Sequence, residues 1–300
     1  MPSAYSVHVS ISEVTDRVQS LVGRLDGRAG VHLRHLGTGE EVSVSADDRF
    51  PAACIIKVPI LMALLQRVAD GALDWHERLT MTEERVYGLD QVVDRLRPGT
   101  EMDLSELIHH MVSLSDVAAG LWCQDLAGGG RAVNDWLVDR GYAHTRVNSR
   151  TPGREREFAD FGWGQTTPRE ALDLLVDIRE RRAVSPEADA YADRILASTY
   201  YVQDSIFALP TDVHAILKTG ATQASRSEVL LIASPEGPLG CSVMTDGLAD
   251  TSWGFDNQAY TLMREVVAIA WKEWGSGSRA SLQGPWPPVA STHATVADRA

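Results

Sequence analysis

The hydrophobic pattern of the first part of the chain predicts a helix, a hairpin and a second helix. Residues 12–25 have apolar positions three and four apart, which predicts an amphipathic helix with Ser12 as its N-cap. Residues 30–50 carry strand-like apolar positions on both sides of a Gly-Thr-Gly turn, as in a β-hairpin. Residues 53–69 are rich in Ile, Leu, Met and Val, which predicts a largely apolar helix.

The middle of the chain predicts helices and loops with few strands. Residues 104–126 form a helical pattern that is interrupted near Ser115, and residues 167–181 form another with a proline in its first turn. Residues 146–165 have no clean period and contain Pro, Gly and mixed charges. That composition is typical of a long functional loop.

Strand patterns return near the end of the chain. Three short β-rich runs and a last helix are expected, at residues 215–217, 228–233, 240–245 and 257–274. Residues 276–300 are rich in small and polar residues and are expected to form a mobile tail.

Strands therefore lie at both ends of the chain, with helices between them. The simplest arrangement is one sheet domain built from residues 1–50 and 206–275, with residues 51–205 inserted as a helical domain. The sequence predicts an α/β fold of the α+β type, in which the sheet carries the first and last helices.

Composition narrows the classes of partner. The formal net charge is −13 and the pI is about 5.1, and such an acidic surface repels nucleic acids and anionic membranes. No apolar stretch is long enough to span a bilayer, and residues 1–10 lack the charged and apolar regions of an export signal. We therefore expect a cytoplasmic protein with no nucleic-acid or membrane partner.

The cysteines indicate neither disulfides nor a metal site. Cys54, Cys123 and Cys241 are an odd number and lie far apart, which does not suggest a disulfide framework. They also lack the spacing of metal ligands. We expect reduced thiols, with no metal and no cofactor.

Lysine is scarce in this chain. Only three of the 28 Lys and Arg residues are lysines, and two of them, Lys57 and Lys218, lie in short motifs. A lysine kept against this bias is expected to do what arginine cannot, such as losing its proton or fitting as a compact charge. Lys272 lies in neither motif and is expected on the surface of the last helix.

Cys54 and Lys57 form the first candidate site. Residues three apart share a helix face, and a helix N-terminus beside a lysine favours the thiolate form of a cysteine. The alternative is an inert cysteine at the start of a core helix. Cys123 and Cys241 have no such neighbours and are expected in the core.

Three motifs occur in a telling order along the chain, Cys54-x-x-Lys57, Ser115-Asp116-Val117 and Lys218-Thr219-Gly220. The set S-x-x-K, S-D-N and K-T-G marks class A β-lactamases and penicillin-binding proteins. This chain resembles that superfamily from about residue 12 to residue 275. Three further segments add to the resemblance: Phe50–Pro59, Arg97–Thr100 and Thr166–Pro168. The resemblance implies an antiparallel sheet with flanking helices and an inserted all-helical domain.

The resemblance implies four catalytic residues. Cys54 would be the nucleophile, and Lys57 and Ser115 would move protons. Lys218 would raise the local positive potential and bind an anionic group of the substrate.

It also implies a set of substrate-binding residues. Thr219 would share the anionic group with the lysine, and Gly220 would let the strand approach the substrate closely. The N–H groups of Cys54 and Ala221 would form the oxyanion hole. Arg226 would either bind a substrate carboxylate or lie on a solvated strand edge.

The chain departs from the family at three points. Cysteine replaces the nucleophilic serine, and Val117 replaces an asparagine that binds the amide of the substrate. The glutamate that activates the deacylating water in class A enzymes cannot be placed. Glu155 and Glu157 lie in the corresponding loop, where either is as readily a solvated charge.

These features predict an enzyme that forms a thioester on Cys54. Its substrate would be an amide, ester or thioester of a small peptide-like or amino-acid-derived metabolite with an anionic group. Hydrolysis or transfer to an amine would complete the reaction. The alternatives are a binding protein that has lost turnover and a weak β-lactam hydrolase.

Overall fold

The computed structural model describes residues 10–201 and 205–275. Its strands are β1 (Arg28–His35), β2 (Glu41–Val44), β3 (Phe50–Pro51), β4 (Arg78–Thr80), β5 (Glu101–Asp103), β6 (Arg146–Val147), β7 (Gly164–Thr166), β8 (Ala215–Ala221), β9 (Arg226–Ile232) and β10 (Leu239–Asp246). Its helices are α1 (Ile11–Val22), α2 (Lys57–Ala69), α3 (Leu104–Val112), α4 (Val117–Leu126), α5 (Gly129–Asp139), α6 (Glu155–Phe161), α7 (Pro168–Arg179), α8 (Pro186–Leu196) and α9 (Gln258–Ala270). Within this part of the chain, no helix has both the length and the apolarity needed to cross a bilayer. The tail expected at 276–300 lies outside the described residues.

Five strands form an antiparallel sheet in the order β2-β1-β10-β9-β8. The first long strand pairs with the last along its whole length, from Arg28 opposite Asp246 to His35 opposite Leu239. The first and last long strands of the described residues therefore pair near the middle of one sheet. The predicted fold class, a sheet with the first and last helices and a helical insertion, is confirmed.

The sheet is buried on both faces. On β9, Leu230 and Ile232 join the core formed with α1 and α9, whereas Val229 and Leu231 join the core formed with the remaining helices. Successive residues of a strand point to opposite faces, so a strand covered on both sides has a continuous apolar run. This arrangement fixes β8 beside the helical part of the molecule, where the site lies.

The first helix begins earlier than predicted. Ser10, not Ser12, is the N-cap, because its hydroxyl accepts from the N–H of Glu13 at 3.2 Å. The Glu13 carboxylate accepts in return from the N–H of Ser10 at 2.8 Å. This reciprocal pair is a capping box, and it fixes the start of α1 at Ile11.

The strand that carries the last motif is longer than predicted. β8 continues past the expected 215–217 to Ala221, with Lys218 paired opposite Val229. Lysine and glycine are poor strand formers, and the pairing with β9 overrides that preference. The Lys218-Thr219-Gly220 motif therefore lies inside an edge strand of the sheet.

The segment 146–165, predicted as a loop, contains regular structure. β6 and β7 pair with each other, and β7 also pairs with β3 just before the candidate nucleophile. The short helix α6 lies between them. Hydrophobic periodicity misses these elements because the strands have only two and three residues.

Candidate active site

Cys54 lies in a constrained turn at the start of the long buried helix. Residues 53–56 form a 3₁₀ turn that leads directly into α2, and the N–H of Ile55 donates to the carbonyl of Ala52 at 2.9 Å. Ala53 has a positive φ of 45°, which is a strained conformation for a residue with a Cβ. The first N–H groups of such a turn have no partner within it. The N–H of Cys54 is thus suited to binding an oxyanion.

Gly220 on β8 packs against the same turn. A Cβ at this position would lie 2.8 Å from the carbonyl oxygen of Ala52 and 2.9 Å from the nitrogen of Cys54. Only glycine fits this contact without a shift of backbone. The close approach of the strand therefore also supports the turn that carries Cys54.

Lys57 joins the cysteine to the second motif. Its buried ammonium donates to Cys54 Sγ at 3.3 Å, to Ser115 O at 2.5 Å and to Ser115 Oγ at 3.2 Å. An ammonium has three protons, and these three acceptors use all of them. Lys57 is therefore held as a charged partner of Cys54 and Ser115.

Ser115 is held in the site by its backbone. It has a positive φ of 54° and lies between α3 and α4. Asp116, buried beside it, caps α4 by accepting from the N–H of Ala119 at 2.8 Å, and also accepts from the N–H of Val93 at 3.1 Å. Asp116 therefore has a structural role, since its carboxylate fixes the loop that presents Ser115.

Lys218 reaches the same hydroxyl from the sheet. Its ammonium donates to Ser115 Oγ at 2.9 Å and to the carbonyl of Thr219 at 3.0 Å. The side chain is 1% exposed. Burial, together with the nearby Lys57 charge, lowers the pKa of Lys218 to about 7, although Cys54 acts in the opposite direction.

The four residues predicted as catalytic therefore meet in one cluster. Burial raises the pKa of the Cys54 thiol, but the charges of Lys57 and Lys218 and the hydrogen bonds from Ser115 and Lys57 outweigh burial and lower it to about 7. Near neutral pH a large share of Cys54 is then thiolate. The side chain remains partly exposed, so an electrophile can reach it.

Trp163 is a residue of the site that the sequence analysis missed. Its ring centroid lies 5.3 Å from the Lys57 ammonium, and its Nε1 donates to Gln124 Oε1 at 2.8 Å. A Cβ on Gly120 would meet this ring at 2.5 Å and Lys57 Cε at 3.1 Å. The indole is thus packed tightly between α4 and Lys57. The sequence feature that could have identified Trp163 is its position between two glycines, in a loop that was already expected to be functional.

The two loop glutamates do not join the cluster. Glu155 is exposed, and its carboxylate accepts from the N–H of Gly153 at 3.0 Å. Glu157 lies on α6, where its backbone carbonyl accepts from Asn148 at 3.3 Å. Among the described residues, no hydrogen bond or ion pair joins either glutamate carboxylate to Cys54, Lys57, Ser115 or Lys218.

Arg226 does not fit the predicted role in substrate binding. It is fully buried, and its guanidinium donates to the backbone carbonyls of Thr222, Ser225, Thr251 and Ser252. Its Cζ also lies 3.9 Å from the ring centroid of Trp253. With both terminal nitrogens donating to backbone carbonyls, this arginine fastens the 250s loop to the β8–β9 turn. The suggestion of a solvated strand edge is also wrong.

Thr219 and Ala221 flank Gly220 on β8 and are partly exposed. Because β8 is at the edge of the sheet, one row of its backbone groups is free of strand partners. Both residues remain predictions for substrate binding. Val117 is also partly exposed, and its N–H donates to the side chain of Gln91.

Comparisons with known proteins identify the family of this chain. The β-lactamase enzyme family matches residues 13–274. A β-lactamase of Mycobacterium tuberculosis is 26% identical over 242 residues, which cover 78% of this chain and 78% of that protein. A β-lactamase of Rhodobacter capsulatus is 25% identical over 277 residues, which cover 90% of this chain and 92% of that protein.

A solved structure gives the same fold. A mutant of PBP-A, in an acyl-enzyme complex with penicillin G, superposes with a TM-score of 0.78 at 23% identity. The match covers 91% of this chain and 98% of that one. The chain belongs to the β-lactamase enzyme family.

Proposed function

We propose that this protein is a cysteine enzyme that forms an acyl-enzyme through Cys54. The observation that carries the proposal is the 3.3 Å hydrogen bond from the Lys57 ammonium to Cys54 Sγ. A serine in this place needs a base to remove its proton, whereas a thiol beside an ammonium already supplies the nucleophile. The substrate is an amide, ester or thioester.

In the first step the thiolate of Cys54 attacks the carbonyl carbon of the substrate. The carbonyl oxygen gains the negative charge, and the N–H groups of Cys54 and Ala221 stabilise it. As the tetrahedral intermediate collapses, the bond to the leaving group breaks and Ser115 donates its hydroxyl proton to that group. Lys57 or Lys218, both within hydrogen-bonding distance of Ser115 Oγ, returns a proton to the hydroxyl.

The charges of the pocket support a small anionic substrate. Lys57 and Lys218 both donate to Ser115 Oγ, in a protein with a net charge of −13. A charged lysine at this point attracts an anion into the site, and Lys218, with a pKa lowered to about 7, carries its charge mainly below that pH. Lys218 and Thr219 would hold the anionic group, as in a carboxylate of a peptide-like or amino-acid-derived metabolite.

The second step is transfer of the acyl group to an amine, with hydrolysis as the competing outcome. Trp163 presents an apolar ring beside Lys57, and the donors of Lys57 are taken by Cys54 and Ser115. The lysine left neutral by the first step can accept the proton that either nucleophile releases, and an amine is a stronger nucleophile than water towards a thioester. Thioesters also react readily with amines. The reaction needs no cofactor, and its free thiolate fits a reducing, cytoplasmic location.

Intact-protein mass spectrometry tests the acyl-enzyme directly. Incubation with a carboxylate-bearing acyl thioester should add one acyl group to the wild type and none to Cys54→Ala. Cys241→Ala is the matched control, because Cys241 is fully buried in the core and should leave the adduct in place. A missing adduct, or one that persists in Cys54→Ala, would refute the proposal. Adding a small amine should then release the acyl group as an amide faster than water releases it.

A second candidate is a β-lactam-binding protein or slow β-lactam hydrolase. The named relatives favour it, and Val117 together with the unplaced deacylating glutamate favours a protein that keeps the pocket but has lost fast turnover. Penicillin G is the probe. A stable penicilloyl adduct on Cys54, together with no acylation by thioesters, would favour this candidate over the metabolite enzyme.

A further inference from the structure

A cleft of about 420 Å³ opens beside Ser115. Its apolar lining comes from three separate parts of the chain, namely Val92 before α3, Leu114 before Ser115, and the pair Tyr200 and Tyr201 after α8. We call this set the apolar cleft. The N–H of Tyr200 donates to the carbonyl of Ser113 at 2.8 Å. The cleft is thus tied directly to the loop that presents the catalytic hydroxyl.

The charged groups around the cleft are committed elsewhere. Asp90 and Arg95 pair with each other at 2.7 Å. The carboxylate of Asp116 accepts from backbone N–H groups, and the Gln91 side chain accepts from the N–H of Val117. Because these polar groups are paired, the apolar side chains are the part of the lining that is available to contact a ligand.

Those surfaces are unusually exposed. Tyr200 is 67% exposed, Val92 is 51% and Tyr201 is 47%. The two tyrosine rings lie edge to face, with centroids 5.3 Å apart. Exposed aromatic and aliphatic side chains gathered in a concavity are typical of a ligand-binding site.

We infer that the apolar cleft binds an aromatic or branched-alkyl substituent on the leaving group of the substrate. The inference rests on the proposed function, in which Ser115 donates the proton to that group. A proton donor must lie within hydrogen-bonding distance of the atom it protonates. Ser115 lines this cleft, so the cleft is within reach of a substituent on a leaving group held against Ser115. The preferred substrate is then an acyl compound whose leaving group carries both an anionic group and an apolar one.

Two thioesters that differ only by a phenyl group test the inference. Both carry an acetyl group, on 2-mercapto-3-phenylpropionate or on 2-mercaptopropionate, so the acyl group and the carboxylate are the same. In the wild type, kcat/KM for acylation of Cys54 should favour the phenyl compound by about tenfold or more, as expected for an added apolar group in a fitted pocket. Equal values for the two compounds would overturn the inference.

Variants locate the preference. Val92→Ser and Tyr200→Ser should each bring the ratio of the two kcat/KM values towards one. Val138→Ser is the matched control, since Val138 on α5 is 54% exposed and lies outside the cleft, and it should keep the wild-type ratio. A ratio that is the same in Val92→Ser, Tyr200→Ser and Val138→Ser would contradict the assignment.

A binding measurement separates the cleft from the chemistry. In Cys54→Ala, 3-phenyllactate should bind about tenfold more tightly than lactate by NMR titration, and Val92→Ser should reduce the difference. If the phenyl group adds no affinity, the inference fails even where Cys54 is acylated. If it adds affinity but wild-type Cys54 is never acylated, the apolar site stands and the proposed function fails.

Discussion

Cys54 and Cys123 are both close enough to Lys57 to be affected by its charge, and they have opposite properties. The Lys57 charge acts on both thiols, yet the pKa of Cys54 is lowered to about 7 while that of Cys123 is raised by burial. Cys54 gains a second ammonium and hydrogen bonds from Ser115 and Lys57, whereas Cys123 on α4 is fully enclosed. A neighbouring lysine is therefore not enough to activate a cysteine, since direct contacts and access decide the outcome.

Removing each thiol in turn gives the largest expected contrast. Cys54→Ala should reduce acyl transfer by about ten-thousandfold or more, as expected for loss of a nucleophile. Cys123→Ala should leave kcat/KM nearly unchanged. Steady-state kinetics with an acyl thioester measure both. Comparable losses in the two variants would show that the two cysteines do not differ in function.

Removing the Lys57 charge tests how far that charge lowers the pKa of Cys54. Lys57→Met should raise the pKa of Cys54 and slow its alkylation by iodoacetamide at pH 7 by about tenfold or more. Lys272→Met, a control remote from both motifs, should alkylate at the wild-type rate. Mass-spectrometric rates for each cysteine provide the measurement. An unchanged rate at Cys54 in Lys57→Met would remove the basis for the ion pair.

Gly220 packs against the turn that carries Cys54, and none of the described glycines packs in this way against Cys123. Gly220→Ala places a Cβ within 2.9 Å of the Cys54 nitrogen, and overpacking of this kind costs about 1–3 kcal/mol of stability. We expect a lower melting temperature together with slower alkylation of Cys54. Gly71→Ala offers a comparison, because a Cβ there meets nothing within 4 Å, although its positive φ also carries strain. Unimpaired alkylation of Gly220→Ala would show that the strand does not hold the nucleophile.

The pH dependence of activity gives the smallest effect. Below about pH 7 Cys54 becomes protonated, and above about pH 7 Lys218 loses the charge that would hold an anionic substrate. For an anionic thioester, kcat/KM should therefore rise to a maximum near pH 7 and then decline by severalfold. A neutral thioester should lack the alkaline decline. Identical profiles for the two substrates would remove Lys218 from anion binding.

The four reactive residues could be predicted because the three short motifs occur in this chain in the same order as in the family. Cys54 and Lys57 are three residues apart on one helical turn, so their contact follows from local geometry. Ser115 and Lys218 followed only from the family resemblance, since their contact depends on how the sheet meets the helices. The capping box at Ser10 could also have been predicted from a serine three residues before Glu13, although Ser12 was predicted as the N-cap instead.

The errors lie where distant segments pack together. Arg226 looked like a free cation beside a binding motif, but the carbonyls of Thr251 and Ser252 that accept from it come from a loop far along the chain. Trp163 lies directly before β7, and its contact with Lys57 and α4 accompanies the pairing of β7 with β6. Neither environment is encoded in local periodicity, and both required the tertiary structure.

Cys54 and the buried Lys218 also link the site to the stability of the whole protein. Both groups release protons more readily in the folded chain, with a pKa of about 7 for each against reference values of 9.0 and 10.5. Between about pH 7 and pH 9 the unfolded chain therefore binds more protons, and the free energy of unfolding contributed by this pair increases with pH. Denaturant titrations of the wild type at pH 7 and pH 9 should show this increase. The increase should shrink in a Cys54→Ala, Lys218→Met double variant. Through these two reactive residues, a pH above 7 stabilises the folded state.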